Sequence, residues 1–107
     1  MDNVQIYNYR AWIRLTDPQQ LAPLFKDLLT KAGYGVVNFS EHHFKPQGYT
    51  CIWLLSESHL ALHTFPEENK TYVELSGCSE AMNTIFIQEF DKRFDAAEVL
   101  ESSLQVG

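Results

Sequence analysis

Apolar residues recur at Leu21, Leu24, Phe25, Leu28, Leu29 and Ala32, the spacing of one stripe along an α-helix. Thr16-Asp17-Pro18 ahead of the stripe supplies a capping side chain and a proline for the first turn. Gly33 behind it supplies the stop. A helix with one apolar stripe needs a second layer to cover it, and the flanking segments read as strands. Tyr7, Tyr9, Ala11, Ile13 and Leu15 alternate at period two within residues 4–15. Further strands are expected over residues 35–44, 49–55, 59–65 and 71–75, with a turn at 45–48 and a connection at 66–70. Ser79 is placed to cap a second helix, with Met82, Ile85, Phe86, Phe90 and Phe94 on its inner side. Residues 97–104 read as a weak last strand. The order β-α-β-β-β-β-α-β predicts an α+β fold in two layers, a mostly antiparallel sheet with two helices on one face. At 107 residues the chain reads as one domain, 1–107.

Charge and composition remove several functions. The net charge is −6 and the pI about 5.0, which does not suit nucleic acid and suits a cationic small molecule better. No apolar run approaches the ~18 residues of a membrane span. The opening MDNVQIYNYR lacks the pattern of a secretory leader, so a cytoplasmic location is expected. Two cysteines, Cys51 and Cys78, make neither a disulfide framework nor a zinc ribbon. The aromatic residues are expected mainly in the core, with some on a partner surface.

All four histidines fall between positions 42 and 63: His42, His43, His59 and His63. His59 and His63 would share a helix face, but their short apolar segment ends at Pro66 and reads as a strand. Four strand residues separate the two rings by about 13 Å, too far for one ion, so no metal is expected. A hydrolase triad has little support, because no G-x-S-x-G elbow is present. Taken singly, Ser58 reads as a turn residue and Cys78 as a small core residue.

Together the residues say more. The segments His43-Phe44-Lys45-Pro46-Gln47-Gly48-Tyr49-Thr50 and Glu57-Ser58-His59-Leu60-Ala61-Leu62-His63-Thr64-Phe65-Pro66-Glu67, with Cys78 twenty residues after Ser58, resemble the prokaryotic S-adenosylmethionine decarboxylase proenzymes. The close resemblance runs over residues 43–78. Three places depart from the usual pattern: Phe65 stands where tryptophan is common, Ser76-Gly77-Cys78-Ser79 where Phe-Thr-Cys-Gly is common, and Val73-Glu74-Leu75 where an aspartate is frequent.

The resemblance implies a self-processing enzyme with a covalent pyruvoyl group made from Ser58, and cleavage after Glu57 into 1–57 and 58–107. A decarboxylated amino acid leaves a carbanion, and a ketone in Schiff-base linkage is the electron sink it requires. By the same resemblance His63 assists the elimination step of processing and Thr50 the ester intermediate. Cys78 is the proton donor to the substrate carbon. Phe44 and Phe65 would flank the adenine and Glu67 would hold the ribose hydroxyls. The family pattern also implies a homodimer with composite sites: Ser58 and Cys78 from one protomer, Phe44, Thr50, His63 and Glu67 from the other. The expected activity is decarboxylation of S-adenosylmethionine to the aminopropyl donor for spermidine. Pyruvoyl-dependent decarboxylation of arginine or ornithine, and an inactive regulatory paralogue, are the alternatives.

Overall fold

The computed structural model describes residues 4–107, and the first three residues of the chain lie outside it. Its elements are β1 (Tyr7–Ile13), α1 (Pro18–Ala32), β2 (Val36–His43), β3 (Tyr49–Leu55), β4 (Ser58–Phe65), β5 (Lys70–Gly77), α2 (Glu80–Arg93) and β6 (Val99–Val106). A single 3-10 turn, Pro66–Glu68, joins β4 to β5. The order is the one the sequence predicts. All six strands form one sheet, β2-β3-β4-β5-β1-β6, and every pairing is antiparallel.

Local chemistry sets the helix ends. The Asp17 side chain accepts from Gln19 N at 2.9 Å, with Pro18 in the first turn, while Gly33 closes α1 at φ 91°. Ser79 caps α2, accepting from Met82 N at 3.2 Å. Both helices cover the same sheet face. Tyr9, Ala11 and Ile13 of β1 join Cys51 and Trp53 of β3, Leu60 and Leu62 of β4, and Val73 and Leu75 of β5 in one core with the helix stripes. These residues share a face because strand side chains alternate and antiparallel partners point the same way.

Three expectations need adjustment. Ile85 is 40% exposed and not part of the inner side of α2; Asn83, Phe86 and Phe90 are its buried residues. The strand expected over 4–15 is confined to Tyr7–Ile13, and the last strand lies two residues later than expected. The paired ladder, rather than the apolar alternation, sets those ends: β6 begins where Arg14 N donates to the Glu98 carbonyl at 2.9 Å.

Phe25 is fully buried, with the rings of Phe86, Phe90 and Phe94 centred 5.9–6.3 Å from its own. Replacing it with alanine removes the aromatic contacts through which it helps dock α1 on α2. Phe25→Ala is expected to cost about 3–5 kcal/mol, read as a lower urea midpoint at unchanged slope. A loss under about 1 kcal/mol would contradict this packing.

Candidate active site

Ser58 is the first residue of β4, directly after the two-residue turn Ser56-Glu57. Its side chain lies on the helix-covered face and is 8% exposed. Glu57 carries φ 60°, the left-handed region that side-chain-bearing residues avoid at a cost of about 1–2 kcal/mol. The Glu57–Ser58 peptide therefore sits at a strained point of the β3–β4 hairpin.

The next hairpin explains the spacing of Ser58 and Cys78. In the β4–β5 register His59 faces Ser76, so the chain returns to the Ser58 end of the sheet at Gly77 and Cys78. There the Cys78 Sγ donates to Glu57 Oε2 at 3.7 Å. Cys78 is partly exposed, whereas Cys51 is buried between sheet and helices, where burial pushes its thiol up to about 12. Of the two thiols, Cys78 is the one with access to a reactant.

Two residues absent from the sequence expectations complete this end. Tyr34, in the loop after α1, donates its hydroxyl to Asn83 Oδ1, and Asn83 Nδ2 donates to the Tyr7 carbonyl at 2.9 Å. Burial, with Cys78 nearby, pushes the Tyr34 phenol up to about 12, so it stays neutral at ordinary pH. A methyl placed on Gly77 would lie 2.7 Å from Ser58 Oγ, 3.1 Å from the Tyr34 oxygen and 3.2 Å from Asn83 Oδ1. The signal for Asn83 was its place on the helical stripe of Phe86 and Phe90, a polar residue at a core position. Tyr34 carried no such signal.

The remaining candidate residues gather elsewhere. Thr50 and His63 are cross-strand partners on the open face of the sheet, with Thr50 Oγ1 2.9 Å from His63 Nδ1. The Tyr72 ring stacks on His63 at 6.4 Å. His59 and His63 both lie on β4, as the strand reading requires. Among the described residues no group of three or more His, Cys, Asp or Glu side chains could hold a metal ion. The β2–β3 turn carries Phe44, half-exposed, with its backbone N donating to the Gly48 carbonyl at 2.8 Å. Beside it Gln47 Nε2 donates to Glu67 Oε2 at 3.2 Å, which brings Glu67 to the Phe44 turn. The Phe65 ring projects on the open face against Trp12, centroids 5.8 Å apart.

The candidate residues thus form two groups: Glu57, Ser58 and Cys78 at one end of β4, and Phe44, Thr50, His63, Phe65 and Glu67 at or toward the other. Ser58 and His63 stand on opposite faces, five strand residues or about 16 Å apart. One chain does not bring them together.

Fold and site define a two-layer α+β protein with chemistry-bearing side chains at both ends of its β3–β4 hairpin. The chain belongs to the S-adenosylmethionine decarboxylase family, whose model matches residues 4–105. It is 31% identical over 77 residues to an S-adenosylmethionine decarboxylase proenzyme 1 of Bacillus cereus, covering 72% of this chain and 59% of the relative. A proenzyme of Prochlorococcus marinus is 36% identical over 67 residues, 63% of this chain and 54% of that one. The matched stretch thus spans less than two thirds of these relatives' length. The crystal structure of the adenosylmethionine decarboxylase from Aquifex aeolicus superposes with a TM-score of 0.77 over 100% of this chain and 91% of that one. At 15% identity that likeness establishes the shared fold. Among the described residues no helix is long and apolar enough to cross a membrane.

Proposed function

We propose that this chain is a self-processing, pyruvoyl-dependent S-adenosylmethionine decarboxylase. The observation that carries the reading is the convergence of Glu57, Ser58 and Cys78 at one strained hairpin end, within a chain of this family. Processing begins when Ser58 Oγ bonds to the Glu57 carbonyl carbon and the peptide C–N bond breaks, leaving an ester. Loss of the Ser58 Cα proton then expels the Glu57 carboxylate. Water replaces the freed nitrogen, which departs as ammonia, and the chain ends are 1–57 and 58–107.

The site suits such a group, because the bare Gly77 leaves room where a side chain would crowd position 58. A pyruvoyl ketone there supplies the electron sink that decarboxylation requires. Cys78, partly exposed beside Glu57, holds the proton to be delivered to the substrate carbon.

The second group of residues acts in the reading as the partner's contribution. The open face exposes Ile52, Leu54 and Phe65 around Thr50 and His63. A two-fold stack of two such faces, about an axis lying across the strands, runs the β4 strands in opposite directions. The Ser58 end of each strand then lies toward the His63 end of the other. This homodimer, with composite sites, brings the partner's His63 toward the hairpin end that carries Glu57 and Ser58.

S-adenosylmethionine is the substrate whose parts match the exposed side chains: aromatic faces at Phe44 and Phe65, a carboxylate at Glu67, and a net negative chain for a sulfonium. Phe44→Ala is expected to weaken its binding by about 1–3 kcal/mol, the scale of base–aromatic stacking. Glu67→Gln is expected to weaken it as well, because an amide accepts from two hydroxyls less well than a carboxylate. The test is labelled CO2 released from S-adenosylmethionine, arginine and ornithine in parallel. Release from S-adenosylmethionine, impaired in both variants, supports the assignment. Release from arginine or ornithine alone overturns it.

A further inference from the structure

We propose that Tyr34 and Asn83, reaching over the bare Cα of Gly77, form the pocket that aims the Ser58 hydroxyl at the Glu57 carbonyl. The inference rests on the self-processing reading and assigns two positioning residues to its first step.

Three oxygens from three separate elements meet at one point. Ser58 Oγ comes from the start of β4, the Tyr34 oxygen from the loop after α1, and Asn83 Oδ1 from the first turn of α2. All lie within 3.2 Å of the place where an alanine methyl on residue 77 would stand. Polar atoms gathered in a buried space need hydrogen bonds, and two ordered ones are present, from Tyr34 to Asn83 and from Asn83 to Tyr7. Asn83 is anchored to β1 through Nδ2 and the Tyr7 carbonyl, which leaves Oδ1 as the acceptor for the Tyr34 hydroxyl. Tyr34 has then spent its only proton, so its free lone pairs, like the second lone pair of Asn83 Oδ1, can only accept. The hydroxyl beside them is that of Ser58. A hydrogen bond from the Ser58 hydroxyl to either acceptor would turn its proton away from Glu57 and present the oxygen lone pair to the carbonyl.

Both residues are built in firmly. Tyr34 is 6% exposed and Asn83 2%. No positive φ at Gly77 demands glycine, so the constraint at that position is the room its missing side chain leaves. A Cβ at 2.7 Å would push the serine oxygen to another rotamer and leave the backbone ladder in place.

The step is an isomerisation. The bond from Ser58 Oγ to the Glu57 carbonyl carbon forms and the Glu57–Ser58 C–N bond breaks. The hydroxyl proton ends on the freed Ser58 nitrogen. No other reactant enters. A nucleophile displaced by about an ångström loses on the order of 10²-fold in rate.

The experiment follows cleavage of freshly folded full-length chain on gels and by mass, with and without hydroxylamine. Hydroxylamine cuts an ester and spares the peptide. Gly77→Ala and Tyr34→Phe are compared with His63→Ala, which in the scheme stops after the ester. Both pocket variants are expected to fold, to cleave at least about tenfold more slowly than wild type, and to resist hydroxylamine. His63→Ala is expected to be cut by it. Slowing caused by lost stability alone would track the melting temperature across the variants and would not select this step. Cleavage of the pocket variants at the wild-type rate overturns the inference, and so does cutting of the stalled variants by hydroxylamine, which places the block later. If Gly77→Ala does not fold, Tyr34→Phe, which removes one oxygen, decides alone. Intact wild-type chain under all conditions overturns the processing reading and this inference with it, whereas cleaved wild type beside unaffected variants overturns this inference only.

Discussion

Ser58→Ala is expected to remain one uncut chain and to release no CO2 from S-adenosylmethionine. In the proposed mechanism the substitution removes the oxygen that attacks the Glu57 carbonyl, and with it the precursor of the ketone. It costs little stability, because Ser58 stands at the edge of the core and alanine fits the same space. The chain should therefore fold, dimerise and bind substrate while doing no chemistry. A variant that splits at Glu57 as wild type does would remove Ser58 from the mechanism.

Cys78→Ala is expected to separate the two reactions. In the proposed scheme cleavage depends on Ser58, its pocket, Thr50 and His63, so this variant should still yield two chains. Decarboxylation should fall by about 10²-fold or more, the usual contribution of a positioned acid. The structural basis is that Cys78 reaches this end by following β5, with its thiol on the Glu57 carboxylate rather than packed in the core. Equal CO2 release from processed wild-type and variant protein would leave Cys78 a packing residue. Loss of cleavage together with turnover would place it in processing.

The sequence was most legible where one local rule acted alone. Asp17 and Gly33 bounded α1 because capping and a left-handed glycine depend on few neighbours. The alternation of Tyr9, Ala11 and Ile13 announced which face of β1 meets the helices. Ile85 misled because Met82, Ile85 and Phe86 form an equally regular apolar line; tertiary packing turned α2 so that Asn83 faces inward. That rotation hid the polar pocket, since Asn83 acquires meaning only with Tyr34 and Ser58 beside it. The Glu57-Ser58-His59 segment and the distance to Cys78 named the candidate end, and the β4–β5 register explains why residues twenty apart meet there. The separation of Ser58 from His63 was implied by the family resemblance, and here it follows from strand length and the alternation of faces.

The central claim is that the chain cuts itself and converts Ser58 to a ketone, and an intact-mass measurement of purified wild-type protein reads it directly. The account predicts two pieces, 1–57 and 58–107, whose summed mass exceeds the uncut chain by about 1 Da, because an imine NH is exchanged for a ketone oxygen. The second piece should resist Edman degradation and react with a carbonyl reagent. A single uncut mass after prolonged incubation of folded protein, or two pieces whose sum exceeds the uncut chain by the ~18 Da of plain hydrolysis, would contradict it.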